Sequence, residues 1–334
     1  MTREEANHGR DDDSVTEPIS PREIEPKGVD TDTGWWPVLK RTFSEFREDG
    51  MTDWAAALTY YGLLSLFPAL LALVSLLGLF GDPEETTKKL TEIVSELGPE
   101  SAADTFSGPV ESITSNRGAS GILFFVGLGT ALFSASGYVG AFGRASNVIY
   151  ETREGRPFWK LRPLQLLVTL VMVILLALAA LALVISGPVV DAIAGPLGIG
   201  DTAVSVWNIA KWPALLLFAA TIIAVLFYTS PNVKLRGLKW ITPGSVLAIV
   251  LWIIASAGFA FYVSNFGSYD KTYGTLGGLI VLLVWMWISN VAILMGAELN
   301  AEIERDKQLA EGTPRAERQI QLERRDEPER PTTA

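Results

Sequence analysis

Residues Tyr269 to Arg305 read YDKTYGTLGGLIVLLVWMWISNVAILMGAELNAEIER, in which a polar, glycine-rich entry leads into 26 uncharged residues, Thr272 to Ala297, before Glu298. At about 1.5 Å rise per residue, roughly 20 residues cross the ~30 Å hydrocarbon layer of a bilayer. The stretch therefore predicts a membrane-spanning helix over about 275–298. Gly278, Trp285, Ser289, Ala292, Gly296 and Asn300 follow one another at spacings of seven, four and three. They share one side of that helix, where small residues let a neighbouring backbone approach.

Five more windows without charge precede it: Trp54 to Gly81, Gly118 to Gly143, Pro163 to Val190, Trp212 to Val233 and Trp240 to Tyr269. Each is long enough for one span. The expected fold is all-α: a polytopic membrane protein of six transmembrane helices at about 55–80, 119–142, 164–187, 212–228, 242–264 and 275–298, forming one membrane domain over 54–304. Thr242-Pro243 offers an N-cap and a first-turn proline to the fifth helix, Ser230-Pro231 closes the fourth, and Pro213 marks its entry. Basic residues set the orientation. Arg144, Arg153, Arg156, Lys160 and Arg162 lie between the second and third helices, and Lys234, Arg236 and Lys239 between the fourth and fifth. These loops are expected in the cytoplasm, with both termini on that side, in the cytoplasmic membrane.

Composition agrees. The 334 residues are 49% hydrophobic with a mean hydropathy of +0.29, which suits a membrane domain better than two soluble ones. The net charge of −10 offers no basic field for nucleic acid, so none is expected as a partner. There is no Cys, and His8 is the only His. Disulfides, thiolate chemistry and cysteine metal sites are thereby excluded, no Walker-type phosphate loop is present, and neither a metal nor a cofactor is expected.

Outside the apolar windows, residues 1–34 carry Asp11-Asp12-Asp13 with little apolar content and read as a disordered acidic tail. Over 35–50, Trp35, Trp36, Leu39, Phe43 and Phe46 fall on one side of a helix and Lys40, Arg41, Glu45 and Arg47 elsewhere, the pattern of an interfacial amphipathic helix stopped by Gly50. Leu90, Ile93, Val94 and Leu97 suggest a short amphipathic helix in the long outer loop. The stretch Gly187 to Lys211 is apolar for a loop and suggests a segment at the outer interface. Residues 305–334 read as a charged cytoplasmic tail, disordered beyond a few extra helical turns.

No charged residue falls inside a window, so candidate sites are uncharged seams or lie at helix ends. On the first helix Ala57, Tyr61, Ser65, Pro68, Ala72 and Ser75 share a face; on the second, Gly127, Ala131, Ser134, Tyr138 and Ala141; on the fifth, Ser245, Ala248, Trp252, Ala255 and Phe259. The third helix, nearly all Leu, Val, Ile and Ala, is expected to face lipid. Such seams serve either helix packing or a hydrophilic groove, and the candidate path comprises Tyr61, Ser65, Pro68, Ser134, Tyr138, Ser289 and Asn290. At the cytoplasmic end, Arg144, Glu298, Asn300 and Glu302 form a candidate polar cluster, in which Glu298 either pairs with Arg144 or merely marks where the helix meets water.

Two motifs carry a resemblance. Ala57-Leu58-Thr59-Tyr60-Tyr61 with Leu64-Ser65-Leu66-Phe67-Pro68, and the loop Tyr269, Tyr273, Gly274, Gly277 with the exit Gly296-Ala297-Glu298-Leu299-Asn300-Ala301-Glu302, resemble the YihY/BrkB family of membrane proteins from about Trp36 to Arg305. Some members of that family have carried a ribonuclease label. This sequence has no His beyond His8 and no carboxylate cluster for a divalent metal, so no enzyme activity is expected. The expected function is assistance in transport or leaflet exchange of a lipid or other amphiphile, because a weakly polar seam without intramembrane charge suits a headgroup better than a coupled ion. The alternative is a non-transporting interaction or scaffold protein. Expected partners are membrane lipids and a protein partner or second copy of the chain.

Overall fold

The computed structural model describes residues 31–78, 120–184, 201–235, 241–265 and 275–327. Among them are seven α-helices: α1 (Trp35–Glu48), α2 (Met51–Gly78), α3 (Ser120–Ile149), α4 (Phe158–Val184), α5 (Asp201–Thr229), α6 (Pro243–Asn265) and α7 (Thr275–Ala310). The described residues contain no sheet, only an isolated bridge between Val233 and Arg324. Residues 1–30 of the acidic tail, the outer-loop helix, the connection up to Gly200 and Tyr269, Tyr273 and Gly274 lie outside the described residues.

Among the described residues, four helices are long and apolar enough to cross a membrane: Phe158–Ala182 in α4, Ser205–Thr229 in α5, Pro243–Val263 in α6 and Gly278–Ala310 in α7. Their outer faces are apolar and exposed, with Leu167, Leu178, Leu217, Ile254 and Phe261 all uncovered. Such a surface is stable only where the surroundings are themselves apolar. Successive packing of α2 on α3, α3 on α4, α4 on α5 and α6 on α7, with α7 closing back on α2, makes a bundle. Its core includes Met51, Leu58, Phe142, Leu226, Leu294 and Ala297.

Several boundaries differ from the sequence reading. α5 begins at Asp201 and runs unbroken through Pro213, so this proline is interior and not the entry. Proline removes one hydrogen bond from a helix, and membrane helices tolerate this where neighbours compensate. α4 begins at Phe158 and contains Pro163, and α7 continues through its charged end to Ala310. On α2 the fully buried residues are Met51, Ala55 and Leu58, with Thr59 and Ser65 also buried, whereas Ala57 and Tyr61 are half-covered. The buried stripe is thus displaced around the helix from the expected one.

α1 ends at Glu48, and Gly50, at φ +64, makes the corner into α2, a left-handed conformation that suits glycine. α1 packs on α7. It buries Val38, Arg41, Thr42 and Phe46, while Trp35, Trp36, Leu39 and Phe43 stay exposed. The expected apolar face is therefore split: Phe46 faces the bundle, and Arg41, expected opposite, goes in with it.

The largest departure is at the C-terminus. Residues 311–327, expected to be disordered, fold back over the helix ends. Lys234 N donates to Glu323 O at 2.7 Å, Arg325 Nε to Val233 O at 2.9 Å and Arg325 Nη2 to Tyr228 O at 2.5 Å. Asn232 Nδ2 donates to the carbonyls of Arg153 and Asp326, each at 2.9 Å. The segment thus supplies partners that helix ends otherwise lack.

Candidate functional site

The seams of α6 and α7 face each other. Thr242 caps α6 by accepting from Ser245 N at 3.1 Å, and its backbone N donates to Ser245 Oγ at 2.8 Å, as Thr242-Pro243 led one to expect. Next to this cap the two backbones nearly touch. A Cβ added to Gly244 would lie 2.0 Å from Gly296 O, and one added to Gly296 would lie 2.3 Å from Gly244 O. Asn300 fastens the crossing, accepting from Gly244 N at 3.0 Å and donating to Thr242 Oγ1 at 3.0 Å. Further along, Trp252 Nε1 donates to Ser289 Oγ at 3.1 Å and Trp285 Nε1 to Ser256 Oγ at 3.2 Å. Ser289, expected on a substrate path, instead joins α6 to α7.

Asn290 points the other way. Tyr138 Oη on α3 donates to Asn290 Oδ1 at 2.8 Å, and Asn290 Nδ2 donates to Thr59 Oγ1 on α2 at 3.1 Å. Thr59 in turn donates to Ala55 O at 2.8 Å. This buried chain links α2, α3 and α7 without a charge. Gly62 lines the same contact, where an added Cβ would meet Met286 Cε at 2.6 Å and Tyr138 Cδ2 at 3.6 Å. Tyr138 and Asn290, both on the candidate path, meet here, Ser65 is buried nearby on α2, and Pro68 sits inside α2. Ser134, on the exposed side of α3, lies outside the chain. Thr59 was missed because, two residues and about 200° around the helix from Tyr61, it lies off the expected seam; its place within the first motif was the available signal.

The expected cluster of Arg144, Glu298, Asn300 and Glu302 does not form; its members serve separate contacts. Asn300 holds the α6–α7 crossing. Arg144 is exposed, its guanidinium 5.3 Å from the centre of the Tyr61 ring. Glu298 is 1% exposed, and its Oε2 has no hydrogen-bond partner. The charges that act most strongly on it are Asp49, Glu302, Glu45 and Arg305, not Arg144. Beyond Ala297, α7 packs against α1 and, through Arg305, reaches Glu151 just past the end of α3.

Glu302 binds two arginines. Arg41 Nε donates to its Oε2 at 2.9 Å and Arg305 Nε to its Oε1 at 2.8 Å. Arg41 continues to Asp306 at 2.9 Å, and Arg305 to Glu151 at 2.9 Å and Ala316 O at 3.2 Å. Glu151 Oε2 accepts from Ile320 N at 2.7 Å. The i, i+3 spacing of Glu302 and Arg305 was a legible signal for one pair; nothing local in the sequence marks Arg41 or Glu151 as its neighbours.

A second polar group ties the α3–α4 connection to the end of α5. Arg156 donates Nε and Nη2 to the two oxygens of Glu154, both at 2.8 Å, and reaches Ser230 O at 2.7 Å and Thr229 O at 3.1 Å. Asn147 adds a 3.0 Å bond to Glu154 and accepts from Asn232 N at 2.7 Å. Despite its burial, Glu154 is held below the usual carboxylate range by its hydrogen bonds from Arg156. Among the described residues no group of three or more His, Asp or Glu side chains is placed to hold a metal.

A family model described as Virulence factor BrkB matches residues 42–321. A protein of Bacillus subtilis (strain 168), whose name includes the words ribonuclease-like protein YfkH, is 34% identical over 277 residues, covering 83% of this chain and 98% of that protein. The UPF0761 membrane protein VSAL_I2938 of Aliivibrio salmonicida is 28% identical over 260 residues, 76% of this chain and 79% of the relative. A UPF0761 membrane protein of Aeromonas salmonicida is 26% identical, covering 78% of this chain and 86% of the relative. No solved structure matches.

Proposed function

The chain belongs to the virulence factor BrkB family of membrane proteins, and from that premise we propose that it is a six-span protein of the cytoplasmic membrane that assists transport or leaflet exchange of a lipid or other amphiphile. α2 and α3, of 28 and 30 residues, supply the two spans beyond the four long apolar helices. The basic loops favour a cytoplasmic polar end. The observation that carries the reading is the buried chain Tyr138–Asn290–Thr59. It gives a weakly polar line between three helices whose hydroxyl and amide groups can exchange partners with a headgroup, and no fixed charge there would trap one. A ribonuclease role draws no support from the residues described above, and this reading is not enzymatic.

The test is lipid exchange between leaflets in vesicles holding the purified full-length protein, followed with a fluorescent lipid and an impermeant quencher. Exchange should exceed that of protein-free vesicles and fall several-fold in Tyr138→Phe, which leaves Asn290 Oδ1 without its donor. That loss costs about 1 to 3 kcal/mol, so melting temperature should be followed alongside. A wild-type rate equal to that of empty vesicles would reject the reading in favour of a scaffold.

A further inference from the structure

A cavity of about 220 Å³ opens between α3, α4 and the end of α5, well beyond the roughly 10 to 15 Å³ that a single water requires. Three hydrogen-bond donors on its wall are unspent. Ser230 is 4% exposed and its hydroxyl has no partner, an uncommon state for a buried polar group. Gln165 accepts from Arg162 Nη1 through Oε1 at 3.0 Å, which leaves its Nε2 amide free to donate. Gly140 admits that amide, since a Cβ there would lie 3.3 Å from Gln165 Nε2. Arg144 has no carboxylate partner among the described residues; Tyr61 covers one face of its guanidinium, and the edge that carries the N–H groups is available.

The remaining charges frame the cavity without filling it. Arg156 and Glu154 neutralise one another through their paired bonds, so the uncompensated charge is that of Arg144, with Arg162 beside Gln165. Arg162 stacks at 4.0 Å over the Phe133 ring and likewise has no carboxylate partner among the described residues. With Glu154 already bonded to Arg156 and Asn147, a wall whose remaining charge is positive selects an anion with several acceptor oxygens. Leu164 and Val168 form its apolar side, and from there the exposed outer face of α4 continues through Leu167, Ile174 and Leu178.

We propose that this cavity binds a phosphate group through Arg144, Gln165 and Ser230, as the headgroup of an anionic phospholipid whose chains lie along α4. The proposal rests on the membrane reading above and names the class of amphiphile for it, but it does not depend on exchange between leaflets.

Binding can be read as saturable thermal stabilisation, and by native mass spectrometry, of the full-length protein in a neutral detergent. The probes are phosphatidylglycerol, phosphatidylcholine and soluble glycerol phosphate. Phosphatidylglycerol should bind, and Arg144→Gln should weaken it about tenfold or more, the scale of a lost charge-assisted hydrogen bond. Ser230→Ala should weaken it less. Arg144→Lys should restore part of the affinity, which a merely misfolded variant would not. Lys211→Gln removes an equal charge toward the other end of α5 and should leave binding unchanged. Glycerol phosphate binding with the same dependence on Arg144 would support the phosphate site and show it open to soluble esters, whereas phosphatidylglycerol alone would support it as a lipid site. Equal responses to phosphatidylglycerol and phosphatidylcholine, or responses indifferent to both Arg144 and Ser230, would overturn it. Running the exchange assay on the same preparations separates the two ideas: binding without exchange rejects the function and keeps the site, and exchange without binding does the reverse.

Discussion

Glu302 sits between two guanidinium groups, Arg41 and Arg305, and all three side chains are 4% exposed or less. A buried ion pair gains little over apolar packing, but removing one partner strands a charge at about 3 to 5 kcal/mol. The carboxylates around this triad have less company. Burial, together with repulsion from Glu45, Glu151 and Glu302 that the Arg305 guanidinium only partly offsets, lifts Asp49 from its ordinary value of 3.8 to about 7. Glu45 is raised too, chiefly by burial. A raised carboxyl means that the folded protein holds its proton more tightly than the unfolded chain does. The contribution is fully present below the unfolded value and is lost as pH rises through about 7. The protein should therefore melt at a lower temperature at pH ~8 than at pH ~5, and Asp49→Asn should flatten that slope, gaining about 1 to 2 kcal/mol at the alkaline end after allowance for solvent screening. Glu154, lowered by Arg156, acts only in the more acid range, so it does not interfere. An unchanged slope in the variant, measured by thermal unfolding in detergent across that range, would refute the assignment.

At the scale of elements, the crossing of α6 and α7 is the tightest contact described. Gly244 and Gly296 each present a backbone carbonyl to the other at a distance that no side chain can share. Gly244→Ala or Gly296→Ala must push the helices apart, breaking the Asn300 bonds and costing at least the ~1 to 3 kcal/mol of ordinary overpacking. Gly258→Ala and Gly278→Ala are the controls, since a Cβ at either meets nothing within 4 Å. Melting temperatures should drop for the first pair and hold or rise slightly for the second; four equal values would show that the close approach is not a packing constraint. This contact was legible because a run of small residues at spacings of three and four leaves only one face for a neighbour, and both α6 and α7 carry such a run. Other elements were less legible. In α5 the polar residues Asn208 and Lys211 followed by Pro213 resemble a loop entering a helix, yet the helix runs through them. On α2 the spacing of Ala57, Tyr61 and Ser65 gave the right element, but side-chain size did not reveal that the bulkier Leu58 and Thr59 face inward.

For the molecule as a whole, α1, the α3–α4 connection, the described part of the α5–α6 connection and residues 311–327 meet at one end. Composition could not foretell this for the C-terminal segment. Its anchors are Ala316 and Ile320, too few for a periodic pattern, and the rest of its attachment consists of bonds to backbone groups and to single residues such as Asn232 and Glu151. The arrangement has a consequence for topology. Arg153, Lys234 and Arg318 are exposed on three different segments of this end, so they must lie on the same side of any membrane that the bundle crosses. In the proposed topology the basic loops place that side in the cytoplasm. The sequence contains no Cys, so Arg153→Cys, Lys234→Cys and Arg318→Cys, made one at a time, can each be probed with an impermeant thiol reagent on intact cells. All three should be protected until the cells are lysed, and Thr105→Cys, in the connection between α2 and α3, should react from outside. Disagreement among the first three would mean that the segments do not share an end. Agreement with the opposite sign, reactive at all three and protected at position 105, would keep the packing and invert the protein in the membrane, moving the Arg144 cavity to the outer leaflet.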